Sequence, residues 1–208
     1  MMPFSGIEVE FFEQLKVMDE RLSATVAAAR CRHCAGPLHR ANYRRKPRGG
    51  LLCGAGEQTY LRQSLCCGKR GCRKRTLPPS LIFLGRRVYV GALVVVASAI
   101  ALLRSGLRKA ENVSGVPVRT LVRWRAWWTN DFAASLAWAE LRACFAAPAP
   151  RECKLPLSML HRVHIMQGRD PPLAQTMMAM ARHLATVTTS LPQTTQFVRD
   201  VFRAPAEG

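Results

Sequence analysis

Acidic side chains are scarce in this chain, and the scarcity is local. Against 31 Lys and Arg the 208 residues hold only 13 Asp and Glu, for a formal net charge of +18. Residues 30–87 carry 15 basic groups and one acidic group, while the segments on either side are close to balance. A stretch so poor in carboxylates cannot neutralise itself, and it attracts phosphate polyanions or anionic surfaces. Long apolar runs are also missing. The longest, Val88 to Leu103, has 16 residues between Arg87 and Arg104, short of the roughly 20 that span a bilayer. It reads as a buried helix, with a membrane anchor as the weaker alternative. The opening residues contain Glu8, Glu10 and Glu13 and no basic-then-apolar run, so a secretory signal is not expected. A cytoplasmic location is expected in its place, and there thiols bind metal or stay free more often than they form disulfides.

The later half lacks a catalytic carboxylate set. Asp131, Glu140, Glu152, Asp170, Asp200 and Glu207 are scattered, and none reads as part of a strand that would gather them around metal ions. His161 and His164 read as a surface turn of helix. No enzyme activity and no small-molecule substrate are expected.

The fold class expected is mainly α with a small β element, in four segments. Residues 1–29 form an amphipathic helix, with Phe11, Leu15, Met18, Leu22 and Val26 at helical spacing. Residues 30–87 are rich in Gly, Pro and Arg with little apolar periodicity, so something other than an apolar core must hold them. Residues 88–147 give the apolar helix, a short helix near Leu107 to Val113, the turn Ser114-Gly115-Val116, and a third helix opened by Pro117 and running to about Asn130. Three helices with a glycine turn before the last suggest a helix-turn-helix. In residues 148–208 a Pro- and Ala-rich linker around 146–150 precedes a helix opened by Pro171-Pro172 and running through Met177, Met180 and Leu184.

Six of the eight cysteines fall in residues 30–87. Cys31-Arg32-His33-Cys34 is a C-x2-C knuckle, and Cys66-Cys67-Gly68-Lys69-Arg70-Gly71-Cys72 supplies a second. Four thiolates suit a closed tetrahedral zinc site with no open position for catalysis. Strand alternation from Tyr60 to Cys67 puts Cys67 on the side of Leu61 and Leu65, so the ligand set is Cys31, Cys34, Cys67 and Cys72. Cys66 paired with Cys72 is the rival, His33 and His39 are alternatives for one thiolate, and Cys53 is a spare. The expected cofactor is Zn2+.

The knuckles are surrounded by cations. Arg40, Arg44, Arg45, Lys46 and Arg48 lie on one side and Lys69, Arg70, Arg73, Lys74 and Arg75 on the other. Such runs neutralise backbone phosphates, whereas sequence is read by an element entering a groove. In the helix after Pro117, Leu121, Trp124 and Trp128 share one face, which leaves Arg119, Thr120 and Arg123 on the other, near the end where recognition helices meet base edges. DNA is the partner expected, with RNA as the alternative.

The two knuckles, the basic stretch His39 to Gly49 and Arg73-Lys74-Arg75 together resemble the N-terminal zinc ribbons of bacterial insertion-sequence transposases. The run from Gly115-Val116-Pro117 through Arg119-Thr120 to Arg123-Trp124 is similar to their helix-turn-helix segments. The resemblance spans about residues 30–130. It implies a transposon-associated DNA-binding protein, an accessory factor or regulator without its own catalysis. A minimal transposase is the enzymatic alternative.

Overall fold

The computed structural model describes residues 9–45, 61–84, 89–103, 106–143, 154–166 and 173–185. These are mainly helical, with seven α-helices and a small amount of antiparallel sheet. The first helix, α1, spans Val9–Ala28. Its apolar stripe turns inward as the spacing predicts, with Phe11, Leu15, Leu22 and Val26 buried and Met18 packed against the core.

Five short strands follow: β1 (Leu38–Arg40), β2 (Tyr43–Arg44), β3 (Leu61–Arg62), β4 (Leu65–Cys67) and β5 (Arg75–Thr76). β4 is the middle strand of a three-stranded sheet, with β1 and β5 antiparallel on its two sides. β2 and β3 form a separate two-stranded ladder. The strand expected from Tyr60 to Cys67 is therefore broken at Gln63-Ser64. There the Ser64 amide donates to Asn42 Oδ1, and the Ala41 amide donates to the Ser64 carbonyl. An asparagine side chain thus stands where a regular ladder would continue.

The apolar run becomes α2, Gly91–Leu102, buried from Gly91 through Ala99. It is shorter than the run that encodes it, and no helix among the described residues is long and apolar enough to cross a membrane. α3 (Gly106–Ser114) and α4 (Val118–Ala126) pack on it and on each other. Between them Gly115 adopts φ +64°, the left-handed turn that glycine makes at no steric cost. The Glu111 carboxylate on α3 accepts from the Val118 amide, which caps α4 in place of a serine or threonine. After Ala126 the chain widens into a π-helical segment, Trp127–Phe132, and α5 (Leu136–Ala143), α6 (Leu157–Met166) and α7 (Leu173–Ala185) complete the body. Met177, Met180 and Leu184 of α7 are buried as their spacing predicts, and α7 lies against both α2 and α1. One contiguous apolar cluster joins α1, Leu81–Leu84, α2, α4, α6 and α7. The Pro- and Ala-rich linker expected at 146–150 lies outside the described residues.

Candidate metal centre

Two tight turns deliver the four sulfurs. In the first, the amides of Cys34 and Ala35 both donate to the Cys31 carbonyl, at 3.3 and 2.7 Å, and the Cys31 amide donates to the Gly36 carbonyl at 2.9 Å. In the second, the Cys72 amide donates to the Lys69 carbonyl at 3.1 Å, while the Cys67 amide reaches the Lys74 carbonyl at 3.1 Å. The Gly68 amide then donates to Pro37, at 2.9 Å, and ties the two turns together. Arg30, Ala35 and Arg73 have φ of 63°, 53° and 45°, and each is the immediate neighbour of a cysteine in the cluster. Left-handed backbone at residues other than glycine costs roughly 1–2 kcal/mol each, so the strain collects where the chain bends around the sulfurs.

The Sγ atoms of Cys31, Cys34, Cys67 and Cys72 all lie within 4.8 Å of one another. Cys34 and Cys67 are 3.4 Å apart and Cys31 and Cys72 3.8 Å apart. A tetrahedron with metal–sulfur bonds of about 2.3 Å has sulfur–sulfur edges of about 3.8 Å, so the cluster is close to the size that a tetrahedral ion requires. The surroundings are shaped to the cluster. A Cβ at Gly36 would lie 3.1 Å from the Cys67 sulfur and 3.3 Å from the Cys34 sulfur, and one at Gly68 would overlap the His39 ring. Neither position has room for a side chain unless its neighbours move.

The thiols respond unequally to their setting. At Cys31 the His33 amide, aided by the Cys34 thiol and amide, brings the thiol down to about 7. At Cys67 the Lys69 amide also favours the thiolate, but burial and the sulfurs of Cys34, Cys31 and Cys72 outweigh it and push the thiol up to about 12. Cys72 is raised as well, its Lys74 amide outweighed by burial and by Cys34 and Cys31. Four mutually close thiolates repel one another; a cation at their centre removes that opposition. The arrangement can hold a metal ion.

Cys67, not Cys66, joins the cluster. Cys66 faces the other side of β4, its Sγ 3.5 Å from the Arg73 carbonyl. His33 and His39 are exposed and outside the cluster. Cys53, Lys46 and Arg48 lie outside the described residues.

Around the sulfurs the described residues 30–45 and 61–84 contain no carboxylate at all. Arg40, Arg44, Lys69, Arg70, Arg73, Lys74 and Arg75 are exposed. Arg45 is half-buried; its guanidinium lies 5.2 Å from the centre of the Tyr43 ring and donates to the Tyr43 hydroxyl. One cation behaves differently. Arg62 is fully buried and donates to the carbonyls of Gln63 and Pro78. Burial holds its guanidinium below the usual arginine range, opposed by the charge of Asp19. Asp19, on α1, is buried too; it accepts from the Ser80 hydroxyl and from the Leu81 amide, the latter at 2.6 Å. Burial pushes its carboxyl up to about 6 against those hydrogen bonds and Arg62. Asp19, Ser80 and Arg62 thus join the cysteine region to the helical body. The signal for this joint was an acid at the i+4 position from Leu15, on the apolar stripe of α1.

On α4 and the π-helical turn after it, the expected division of faces holds for Leu121, Trp124 and Trp128, which are buried, and for Arg119 and Arg123, which are exposed. Thr120 departs from it. It is 5% exposed, four residues before Trp124 on the inward stripe, and its hydroxyl accepts from Arg123. A buried hydroxyl cannot contact a base, so Thr120 positions Arg123 at most. No protein-family model, curated protein or solved structure matches the chain.

Proposed function

We propose that this chain is a zinc-dependent nucleic-acid-binding protein, with DNA as its target and no catalysis of its own. The observation that carries the reading is a closed four-sulfur cluster beneath a cationic surface without a single described carboxylate. The cluster's chemistry supports zinc: four thiolates in tetrahedral reach suit a d10 ion that needs no open position. Such an ion holds the two turns together and supplies no reaction. Bound to four thiolates it carries a net charge of −2, which the neighbouring Arg32, Lys69 and Lys74 offset. Arg40, Arg70, Arg73 and Arg75 are exposed with no carboxylate in the described residues 30–45 and 61–84, and a phosphate backbone brings the negative charge they call for.

In this reading the region is a zinc ribbon that tracks phosphates, and α3 with α4 forms the helix-turn-helix, with Arg119 and Arg123 toward base edges. The resemblance to the N-terminal regions of insertion-sequence transposases supports the same division and adds a mobile-element setting. The test is metal analysis of the purified chain, followed by binding to duplex DNA and to RNA at two salt concentrations. About one zinc per chain and DNA binding that weakens steeply with salt are the expected results. Zinc-free protein that is fully folded, or no binding to either nucleic acid at low salt, sinks the reading. Metal-dependent strand cleavage would move the protein to the enzymatic alternative.

A further inference from the structure

The helical body carries a concavity that the nucleic-acid reading does not use. A groove of about 600 Å³ runs along α4 and the π-helical segment, with Leu102 at the end of α2 and Lys154-Leu155 before α6 on its other side. Its described apolar lining is Leu102, Val122, Ala126, Trp128, Ala133 and Leu155. Val122 is 48% exposed there, an aliphatic side chain left to water on a helix otherwise sorted into apolar and basic faces. Among the described lining residues the charged side chains are Arg125 and Lys154, Thr129 and Asn130 add neutral polar groups, and none is a carboxylate.

Trp128, Thr129 and Asn130 of the wall belong to the π-helical turn, a widening that recurs at functional sites. Trp128 in that turn is fully buried, and its indole N–H has no acceptor among the described residues. That N–H is inaccessible from the groove, whose charged groups among the described residues are the cations Arg125 and Lys154. A volume of this size falls within the roughly 300–1,000 Å³ of small-molecule sites, which are mostly apolar with a few placed polar groups.

We propose that this groove binds an amphipathic organic anion, a carboxylate carried on an apolar body, with Arg125 and Lys154 taking the carboxylate and Val122, Ala126 and Leu155 covering the body. Charge complementarity selects the anion, and the apolar lining selects against small hydrophilic acids. The proposal does not draw on the nucleic-acid reading, and its test contains no nucleic acid.

The probe is decanoate below its micellar concentration, titrated calorimetrically into the full chain as purified, with decanol as the uncharged counterpart. Saturable binding is expected, at least tenfold tighter for decanoate than for decanol. Arg125→Glu with Lys154→Glu should weaken decanoate at least tenfold, while Arg142→Glu, exposed on α5 outside the groove lining, should leave it unchanged. If the double variant loses helical circular dichroism, Arg125→Gln is read in its place, with at least a threefold loss expected. The proposal is overturned by the absence of saturable binding, by equal affinity for decanoate and decanol, by wild-type affinity in the groove variants, or by an equal loss in Arg142→Glu.

Discussion

The cysteine region and the helical body are organised by opposite means. The body is a conventional apolar cluster, with Leu15, Phe83, Val94, Val95, Trp128 and Met180 all essentially inaccessible. Among the described residues of the cysteine region, 30–45 and 61–76, the buried apolar side chains are Leu65 and the cluster thiols Cys31 and Cys67, and the other buried side chains are polar: Arg62, Gln63, Ser64 and Thr76. An apolar core tolerates losses by degrees, because each side chain contributes its own share. A region organised around four sulfurs has one point of failure. With zinc bound as proposed, the metal's binding free energy would be most of the region's folding free energy, apparent values running to about 10–16 kcal/mol for small zinc domains.

The largest effect should come from breaking that point. Removing the metal with a chelator, or Cys34→Ser, should unfold the described residues 30–45 and 61–80 while α2 and α4 stay folded. Hydrogen exchange reads the difference directly: the amides of Cys67, Gly68 and Ala41 should lose protection, and those in the middle of α2 should keep it. Retained protection at Cys67 in metal-free protein would show that the two regions are held alike.

Next comes the body. Trp124 is buried against the ring of Tyr89, edge to face at 4.9 Å between centroids, and lies within the apolar cluster. Trp124→Ala should cost about 3–5 kcal/mol through the packing it removes and the cavity left behind, with the metal content unchanged. Arg123→Ala loses an exposed guanidinium and its hydrogen bond to Thr120, and should shift stability by no more than about 0.5 kcal/mol. Denaturant titrations of the two variants are the check, and the contrast collapses if Arg123→Ala proves the more damaging.

The joint between the regions should respond to pH. With its carboxyl raised to about 6 by burial, Asp19 takes up a proton more readily folded than unfolded. Its protonation therefore adds stability that is fully present below the ordinary value of 3.8 and is lost as pH rises through about 6. Asp19→Asn should remove that slope between about pH 4 and 6. It should also cost about 1–3 kcal/mol near neutrality, since two buried donors then share one neutral acceptor. An unchanged pH dependence of stability would place the titration elsewhere.

What the sequence made legible follows from the same comparison. Helices announce themselves by spacing, so the apolar faces of α1, α4 and α7 were readable residue by residue, as was the turn at Gly115. The choice of Cys67 over Cys66 followed from strand alternation, although that alternation is interrupted at Gln63-Ser64 by the Asn42 side chain, a hydrogen bond across 22 positions that periodicity does not encode. The left-handed residues Arg30, Ala35 and Arg73 carried no glycine to mark them, since the turns are fixed by amide hydrogen bonds around the sulfurs. Thr120 was misplaced because it was sorted by its polar hydroxyl, although its position four residues before Trp124 puts it on the inward stripe. The Asp19 joint was missed because its partners, Ser80, Leu81 and Arg62, stand more than 40 residues away, in a stretch without periodicity.

The smallest effect on stability should come from the most numerous feature. Arg70 and Lys74 are exposed, and the described residues around them offer no carboxylate, so neither contributes an ion pair to the fold of the region. Each adds repulsion with its neighbours, screened over about 8–10 Å at ordinary salt. Arg70→Ala with Lys74→Ala should therefore leave stability within about 0.5 kcal/mol, or raise it slightly, and leave the metal in place. Nucleic-acid binding should change in a way that only phosphate neutralisation produces. Affinity should fall for all duplex sequences alike, and the slope of log affinity against log salt should flatten by about 0.9 for each phosphate no longer neutralised, because each such pairing releases one condensed counterion. A double variant that binds as before, with the slope unchanged, would mean that the charge of this region serves some purpose other than holding a phosphate backbone. A loss confined to particular sequences would mean that these side chains read bases, and the division of labour between the cysteine region and α4 would have to be reversed.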